Sequence, residues 1–360
     1  MALVIPTIDG LAAYEGGKPI EELARELGIT DAVKLASNEN PLGPSPRAIE
    51  AARAVLGDAS RYPDGAAHNL RAKLAKKHGV GMDEVLLGAG SNELLDLVVR
   101  TFCTPEHHVV FGEPAFVVYR IASLACGVPF TAVPLTAGLV HDLPAMAAAV
   151  TPQTRVMFVA NPNNPTGTHV GRAAVEKLLR EVPPDVIIVM DEAYLEYADA
   201  PDYPDSLELR SLRERLLVLR TFSKIYGLAA FRVGYAIGPR QLIDYMNRVR
   251  APFNVSTMGQ VAAAAAIDDV DHVQTARALN QKERKRVTET LTQRGLSVTP
   301  SQANFVLVDV KRPARPVYDA LLRKGVIVRP FAVLPTSLRV TLGTERENDR
   351  FLTALAEVLA

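Results

Sequence analysis

Short apolar runs alternate with longer helix-like stretches between about residues 84 and 240. The apolar runs are EVLLG, HVVFG, RVMFVA, DVIIVMD, RLLVLRT and VGYAIG. Runs that are apolar at nearly every position predict strands covered on both faces, as in a sheet with helices on either side. The alternation of the two patterns therefore predicts an α/β domain with a mainly parallel sheet.

A second, shorter series follows the basic stretch from Lys282 to Arg286. Its strand candidates are NFVLVDV, GVIVRP and LRVTLG, and the helix-like VYDALLRK lies among them. The alanine-rich run from Val261 to Ile267 predicts a tightly packed helix. We therefore expect an N-terminal arm (1–40) that packs with a small domain, a large α/β domain (41–255) and a small C-terminal α/β domain (256–360).

Composition and charge narrow the class of protein. The 360 residues are 48% apolar, enough to bury a large core, and Lys plus Arg and Asp plus Glu number 40 each, so no net charge attracts nucleic acid. The first residues lack a signal-peptide pattern, and no apolar segment approaches about 18 residues. Cys103 and Cys126 are not spaced like metal ligands. We predict a cytoplasmic protein with no metal, nucleic-acid or membrane partner.

Lys224 follows a predicted buried strand in VLRTFSKIYGLAAFR, next to Thr221 and Ser223 and ahead of Arg232. Ligands of open α/β sheets bind beyond the carboxyl ends of the strands, so this lysine lies where a site is expected. Burial lowers the pKa of an amine, and a neutral amine can form a Schiff base with an aldehyde. The alternative is a surface lysine that extends past the strand end.

Asp191 ends the apolar strand DVIIVMD, where a carboxylate is unfavourable unless a cation meets it. A protonated pyridine nitrogen is such a cation, and Asp191 would make the ring a stronger electron sink. The alternative is an N-cap for the next helix. Asn164, in the proline-constrained loop VANPNNPTG, and Tyr194 can both donate to a phenolate oxygen of such a ring, although the loop could also be an ordinary connection.

The segment LLGAGSNELLDLVVR passes from a strand through Gly88 and Gly90 into a helix that begins near Ser91 and Asn92. Glycine permits close backbone approach and a helix N-terminus favours an anion, so the segment predicts a phosphate site. An N-cap at Ser91 explains the same residues without a ligand. Phe116, in GEPAFVVY, either stacks on a pyridine ring or packs in the core.

Together, TFSKIYGLAAFR, MDEAY, NPNNPTG, GSNE and LASNENPLGPSP resemble the motifs of the fold-type I pyridoxal-phosphate enzymes, and among them the class II family of histidinol-phosphate aminotransferases. The resemblance covers nearly the whole chain and keeps the order of the motifs. It implies that Lys224 carries pyridoxal 5'-phosphate as an imine and moves the proton. It also implies that Asp191 pairs with the pyridine nitrogen, that Asn164 and Tyr194 donate to the ring oxygen, and that Phe116 stacks on the ring.

The resemblance also implies where the phosphate lies: the matching residues are Ser91, Asn92, Thr221, Ser223 and Arg232. One departure from the family pattern is Ala230-Phe231, which replaces the usual Gly-Leu before Arg232. Because this pair is bulkier, it puts the packing next to Arg232 in question.

Members of this family are homodimers whose active sites are shared between subunits. Tyr62, in RYPDG, resembles the tyrosine that reaches the neighbour's cofactor phosphate, although a tyrosine in a proline turn explains it equally well. Arg339, in LRVTLGT, corresponds to the residue that binds the substrate anion, and Arg329 is a helper. Further candidates for contact with the substrate are Tyr14, Asn40 and Tyr62.

The reaction implied by the resemblance converts L-histidinol phosphate and 2-oxoglutarate to imidazole-acetol phosphate and L-glutamate, a step of histidine biosynthesis. Relatives with the same motifs transaminate aromatic amino acids or decarboxylate threonine phosphate, because a few wall residues decide specificity. An aromatic amino-acid aminotransferase is therefore the main alternative. A cofactor-sensing regulator would need a DNA-binding module, for which the chain has neither length nor a basic patch.

Overall fold

The strands of the chain form three sheets in the computed structural model, which describes residues 4–9, 11, 13 and 16–360. The strands are β1 (Val33–Lys34), β2 (Val85–Gly88), β3 (His108–Glu113), β4 (Phe130–Pro134), β5 (Thr154–Ala160), β6 (Ile187–Asp191), β7 (Leu216–Thr221), β8 (Gly234–Ile237), β9 (Ser297–Thr299), β10 (Phe305–Asp309), β11 (Val326–Ile327), β12 (Arg329–Phe331) and β13 (Leu334–Thr341). Each strand candidate from the sequence forms a strand, except that GVIVRP is divided between β11 and β12, so the strand predictions are confirmed with that one difference.

The helices cover both faces of the largest sheet and pack around the smaller ones. They are α1 (Pro6–Asp9), α2 (Ile20–Leu27), α3 (Pro46–Ala54), α4 (His68–His78), α5 (Ser91–Phe102), α6 (Val118–Ala125), α7 (Leu143–Ala148), α8 (Arg172–Glu181), α9 (Arg240–Val249), α10 (Thr257–Asp268), α11 (Val270–Gln293), α12 (Ala314–Arg323) and α13 (Glu345–Leu359). The alanine-rich run lies in α10, as predicted.

The largest sheet has seven strands in the order β2-β8-β7-β6-β5-β3-β4. The strands from β4 to β7 pair in parallel, whereas β8 runs antiparallel to both of its neighbours. This is the mainly parallel α/β fold that the apolar runs predict. Because β3, β5, β6 and β7 point the same way, the residues that follow them meet at one edge of the sheet.

Alternate residues of each central strand enter opposite halves of the core, as the two-residue repeat of a strand requires. In β6, Ile188 and Met190 pack with residues of α4, α8 and α10, whereas Ile187 and Val189 pack with residues of α5, α6 and α9. The strand is buried on both faces, which explains why its sequence is apolar at every position before Asp191.

The C-terminal sheet is antiparallel, in the order β12-β13-β10-β9, and its core includes residues of α11, α12 and α13. The N-terminal segment joins this region because β1 pairs in parallel with β11, Val33 opposite Val326. The helix α10 packs into the core of the large sheet through Ala262, Ala263 and Ala266. The proposed division at 41 and 256 stays a prediction. Within the described residues, no helix is both long and apolar enough to cross a membrane.

Candidate active site

Two neighbouring parallel strands bring the central residues of the predicted site together. Asp191 is the last residue of β6 and lies opposite Leu219 of β7, and Thr221 is the last residue of β7. Lys224 follows in the turn after β7. The common direction of the two strands places the lysine and the aspartate at the same edge of the sheet, and the charge of Asp191 acts on the Lys224 amine.

The Lys224 side chain is half-buried, and its environment favours the neutral amine. Its Nζ donates to the carbonyl of Ser37 at 3.3 Å and lies 5.5 Å from the centre of the Tyr194 ring. Burial, and next the charge of Arg339, lower the pKa of the amine to about 7. A large fraction of the amine is therefore unprotonated at neutral pH, which is the form that attacks an aldehyde carbon.

Asp191 is buried, and two hydrogen bonds fix its carboxylate. The hydroxyl of Tyr119 donates to Oδ2 at 2.8 Å, and the backbone N–H of Ala193 donates to Oδ1 at 3.3 Å. Burial raises the pKa of Asp191 to about 6, whereas the two hydrogen bonds and the charge of Lys224 oppose that rise. The carboxylate can therefore be ionised at neutral pH and meet a cation at this edge.

The C-terminal sheet contributes Arg339 to the same place. Arg339, on β13, is 7% exposed; Nη1 donates to Oδ1 of Asn164, and Nη2 donates to the carbonyl of Ala36 at 2.6 Å. Because Oδ1 of Asn164 faces Arg339, the amide turns its NH₂ end away from that guanidinium. The predicted donor role of Asn164 is compatible with this orientation.

Tyr194 is held by the N-terminal segment. Its hydroxyl accepts a hydrogen bond from Nδ2 of Asn38 at 2.8 Å, and its ring meets Phe305 edge-on with centroids 5.3 Å apart. Asn38 is in turn fixed by Thr341, whose hydroxyl accepts from the Asn38 backbone N–H at 2.9 Å and donates to its Oδ1 at 3.0 Å. Residues from three distant parts of the chain thus orient one phenol.

Arg232 and the first residue of α5 lie at the same edge of the sheet as Lys224, and the charge of Arg232 acts on the Lys224 amine. Nη1 of Arg232 donates to the Ser223 hydroxyl and Nη2 to the Ala89 carbonyl, both at 3.4 Å, and the Ser223 backbone N–H donates to the Thr221 hydroxyl at 3.1 Å. Within the part of the chain that the structure describes, the hydrogen bonds of Arg232 go to carbonyl and hydroxyl oxygens and not to a carboxylate. Its charge is therefore available for an anion.

Close packing at this edge requires glycine at two positions. Gly90 has φ 76°, and a Cβ there would lie 2.4 Å from Nη2 of Arg232. A Cβ at Gly234 would lie 2.5 Å from the backbone nitrogen of Ser91, which begins the twelve-residue helix α5. The helix start, which favours a negative group, is thereby brought against Arg232. Asn92 is next along α5 and is exposed.

Two further predicted residues lie close to this centre. Phe116 is half-buried and meets Tyr119 edge-on with centroids 6.0 Å apart, which brings it near Asp191. Asn40 is buried, and its Nδ2 donates to the carbonyl of Ile225 at 2.7 Å, directly after Lys224. The stacking role of the phenylalanine and the substrate contact of the asparagine stay predictions.

The remaining predicted residues lie farther out. Arg329 is opposite Arg339 in the β12–β13 pair, and its Nη1 donates to the carbonyl of Gly16 at 2.6 Å. Tyr62 is 82% exposed and stacks on Phe253 with centroids 4.8 Å apart. Tyr14 lies outside the described residues. The structure therefore brings most of the predicted residues to one edge, and the role of each stays a prediction.

Sequence reasoning missed two residues that orient the centre, Tyr119 and Asn38. Both lie in motifs that were recognised, GEPAFVVY and LASNENPLGPSP. For Tyr119, the sequence shows a hydroxyl group within a largely apolar stretch. For Asn38, it shows a cluster of asparagines. Neither pattern says which distant side chain the polar atom meets, so the contacts became visible only in the fold.

The mainly parallel sheet thus carries a lysine and an aspartate at its carboxyl edge, and arginines lie beside them. The model of the family "Aminotransferase class I and II" matches residues 30–355, and the chain belongs to this family.

Its relatives identify a narrower group. The chain is 52% identical over 364 residues to histidinol-phosphate aminotransferase 2 of Pseudomonas aeruginosa, covering 100% of this chain and 98% of that protein. It is 47% identical over 350 residues to histidinol-phosphate aminotransferase of Moorella thermoacetica, covering 96% and 90%. The crystal structure of histidinol-phosphate aminotransferase from Sinorhizobium meliloti in complex with pyridoxal-5'-phosphate is similar, with a TM-score of 0.91 and 29% identity over 100% and 98% of the two chains.

Proposed function

We propose that this protein is a pyridoxal-phosphate-dependent aminotransferase that acts on L-histidinol phosphate and 2-oxoglutarate, giving imidazole-acetol phosphate and L-glutamate in histidine biosynthesis. The half-buried Lys224 amine, with a pKa lowered to about 7 at the edge that also holds Asp191, is the observation that carries the proposal. Full-length similarity to histidinol-phosphate aminotransferases supports this substrate pair over aromatic amino acids.

The residues at this edge fit the cofactor. Arg232, the hydroxyls of Ser223 and Thr221 and the start of α5 at Ser91 match a phosphate, and a Cβ at Gly90 would fill the space beside the arginine. When bound, pyridoxal phosphate supplies an aldehyde for a lysine and a ring that accepts the electron pair released at the substrate carbon.

Each residue has a defined task in this proposal. Lys224 uses its neutral Nζ first as the nucleophile and then, once released, as the base that takes the proton from the substrate carbon. Asp191 would pair as an anion with the ring nitrogen, and Asn164 and Tyr194 would donate to the ring oxygen. Arg339 grips the substrate phosphate or carboxylate with two parallel N–H groups, because both anions match its planar fork.

A homodimer with shared sites belongs to the proposal. A groove of about 630 Å³ is lined by Arg232 together with Phe231, Met258, Ile49 and Leu56. These walls are mainly apolar, and Tyr62 projects from the same chain with 82% of its surface exposed. We assign the groove to the Tyr62 segment of a second copy, which would place the phenol beside the phosphate.

Subunit mixing tests this arrangement. Dimers of Lys224→Ala and of Tyr62→Ala are each expected to be impaired, whereas a mixed dimer has one site with both native residues. After dissociation and random reassociation of equal amounts, about a quarter of the wild-type activity should return, because half of the dimers are mixed and each has one intact site. An absence of recovery in verified mixed dimers would rule out the shared site.

A cytoplasmic location completes the proposal. Cys103 and Cys126 are free thiols, which agrees with a reducing compartment. Fractionation of the source cells tests the location, and recovery of the protein outside the cytoplasmic fraction would contradict it.

The central experiment is spectroscopic. The purified protein should show a visible band with pyridoxal phosphate that borohydride removes, and mass spectrometry should then locate the added mass on the peptide containing Lys224. The Lys224→Ala variant should lack the band, whereas Lys177→Ala, at a site with a 65% exposed side chain, should keep it. A cofactor bound covalently elsewhere would overturn the assignment.

Substrate choice needs a separate measurement. The ratio of kcat/KM for histidinol phosphate to that for phenylalanine should be well above one with 2-oxoglutarate as the acceptor. A ratio below one would replace the proposed reaction with aromatic transamination. Release of carbon dioxide from threonine phosphate would instead indicate a decarboxylase.

A further inference from the structure

Tyr119 lies on α6, directly against Asp191, and its ring is fixed on several sides. It is fully buried; its ring stacks on Phe158 with centroids 4.9 Å apart and an interplanar angle of 6°, and Phe111 and Phe116 each contact it with centroids 6.0 Å away. A ring held this way gives its hydroxyl one position. That hydroxyl donates to Oδ2 of Asp191 at 2.8 Å.

The chemistry of the pair favours a charged Asp191. Burial, and next the charge of Asp191, raise the pKa of Tyr119 well above its ordinary value, so the phenol keeps its proton and acts as a donor. A hydrogen bond to a carboxylate stabilises the ionised form. Tyr119 gives the largest effect opposing the rise in the pKa of Asp191, ahead of the Ala193 N–H and the charge of Lys224.

The other titratable groups around Tyr119 and Asp191 do not keep the aspartate ionised in place of this hydrogen bond. Glu192, the next residue along the chain, raises the pKa of Asp191, and Tyr194 acts on Tyr119 in the same direction as the aspartate does. Lys224 favours the ionised carboxylate only while its own amine is charged, and that amine is largely neutral above pH about 7. Among these titratable neighbours, the phenol is thus the one whose support for the ionised carboxylate does not depend on its own titration near neutral pH, and its effect is larger than that of the Ala193 N–H.

We propose that Tyr119 is a positioning residue that keeps Asp191 ionised and in a fixed orientation for the nitrogen of the cofactor ring. The inference rests on the proposed function, because Asp191 needs that ring nitrogen as its cationic partner. One carboxylate oxygen is held from α6 and the other from the Ala193 N–H, so the plane of the carboxylate is set before the cofactor arrives.

The test is Tyr119→Phe, which removes one oxygen and keeps the stacked ring. Equilibrium dialysis of the apoenzyme against pyridoxal phosphate should give an affinity at least about tenfold weaker than that of the wild type, the effect of one lost hydrogen bond to a charged group. The pH at which affinity is half lost on the acid side should rise relative to the wild type. In turnover, kcat should fall while KM for the amino donor stays within about threefold, because Arg339 is untouched.

Two comparisons separate positioning from general packing. Tyr235→Phe removes an equally buried hydroxyl, bonded to Nε2 of His78 at 3.1 Å, and should leave the affinity and its pH midpoint unchanged. In an Asp191→Asn background, Tyr119→Phe should weaken binding much less than in the wild type, because the residue acts through the carboxylate.

Each result is decisive. If the wild-type apoenzyme binds pyridoxal phosphate and Tyr119→Phe binds it with the same affinity and pH midpoint, the inference is wrong and the proposed function stands. A Tyr119→Phe chain that fails to fold also contradicts the inference, because a positioning role leaves the core intact. If the wild-type apoenzyme itself does not bind pyridoxal phosphate, it is the proposed function that fails.

Discussion

The neutral state of the Lys224 amine can be tested by following its reactivity with pH in the apoenzyme. Burial and the charge of Arg339 lower its pKa to about 7. An ordinary lysine, with a pKa of about 10.4, is neutral in only about one molecule in 2,500 at pH 7, whereas a group with a pKa of about 7 is half neutral. The environment of Lys224 therefore increases the reactive fraction about a thousandfold at pH 7.

The assay is limited acylation with a small reagent, followed by mass spectrometry of the peptides that contain Lys224 and Lys177. Only the neutral amine reacts, so labelling of Lys224 should rise about tenfold per pH unit up to pH about 7 and then level off. Lys177, whose side chain is 65% exposed, is the internal reference for changes in the reagent. The two lysines differ in how easily the reagent reaches them, so the comparison uses the shape of each labelling curve against pH and not the amount of label.

A Lys224 curve that rises in parallel with that of Lys177 from pH 6 to pH 9 would refute the reasoning. It would mean that solvent reaches the amine well enough to keep its ordinary pKa, so that desolvation cannot be the source of its nucleophilicity. The proposed cofactor bond would then need another base to remove the proton from Lys224.

Three further predictions concern the anion sites and the core. Gly234→Ala would place a Cβ 2.5 Å from the Ser91 backbone nitrogen and should weaken apoenzyme affinity for pyridoxal phosphate by about tenfold or more in dialysis, whereas Gly57→Ala, with no atom within 4 Å, should not. Arg339→Met should keep the visible band but raise KM for 2-oxoglutarate by about thirtyfold or more, and an unchanged KM would exclude Arg339 as the anion holder. Burial lowers the pKa of His141 to about 4, so between pH 6.5 and 4 the unfolded chain binds a proton that the folded one does not, and stability falls by up to about 3 kcal/mol as the pH decreases. Urea unfolding should show a smaller loss over that interval for His141→Asn, and identical pH dependence would contradict the assignment.

The main lines of the fold could be predicted because burial constrains a sequence strongly. A strand covered on both faces must be apolar at every position, as in β6 from Ile187 to Met190, and that pattern is hard to mistake for a loop. Parallel strands end at one edge, so the polar residues after β6 and β7 were expected to meet. Strand direction carries no such signature, and nothing in VGYAIG shows that β8 runs antiparallel to its neighbours.

The contacts that orient the site were not predictable because they join distant parts of the chain. Asn38 and Thr341 are 303 positions apart, and Tyr119 and Asp191 are 72 apart. Each contact joins one polar atom to another, and the sequence contains many other polar atoms that could serve as the partner. Only the folded arrangement of α6, β6, β13 and the N-terminal segment selects among them.

The charges next to the site show the same dependence on the fold. Arg220 precedes Thr221 in β7 and is 3% exposed. It donates to Oε2 of the fully buried Glu192 from Nε at 2.9 Å and from Nη2 at 2.8 Å. Side chains of neighbouring strand residues point to opposite faces, so Arg220 and its ion pair with Glu192 lie on the face of the sheet opposite the Thr221 side chain. Arg220 opposes the rise that burial causes in the pKa of Glu192, and the charge of Glu192 in turn raises the pKa of Asp191.

The chemistry of the site therefore follows from protonation states more than from residue identities. Burial pushes Lys224 towards its neutral form and would also push Asp191 towards its neutral form. The first shift serves the reaction and the second opposes it, so the two groups need different surroundings within one desolvated edge. Burial and the positive charges of Arg339 and Arg232 lower the pKa of the Lys224 amine, whereas Asp191 has a phenol and an amide that donate to its carboxylate. A motif can supply the lysine and the aspartate, but only these different surroundings make one a nucleophile and the other an anion at the same pH.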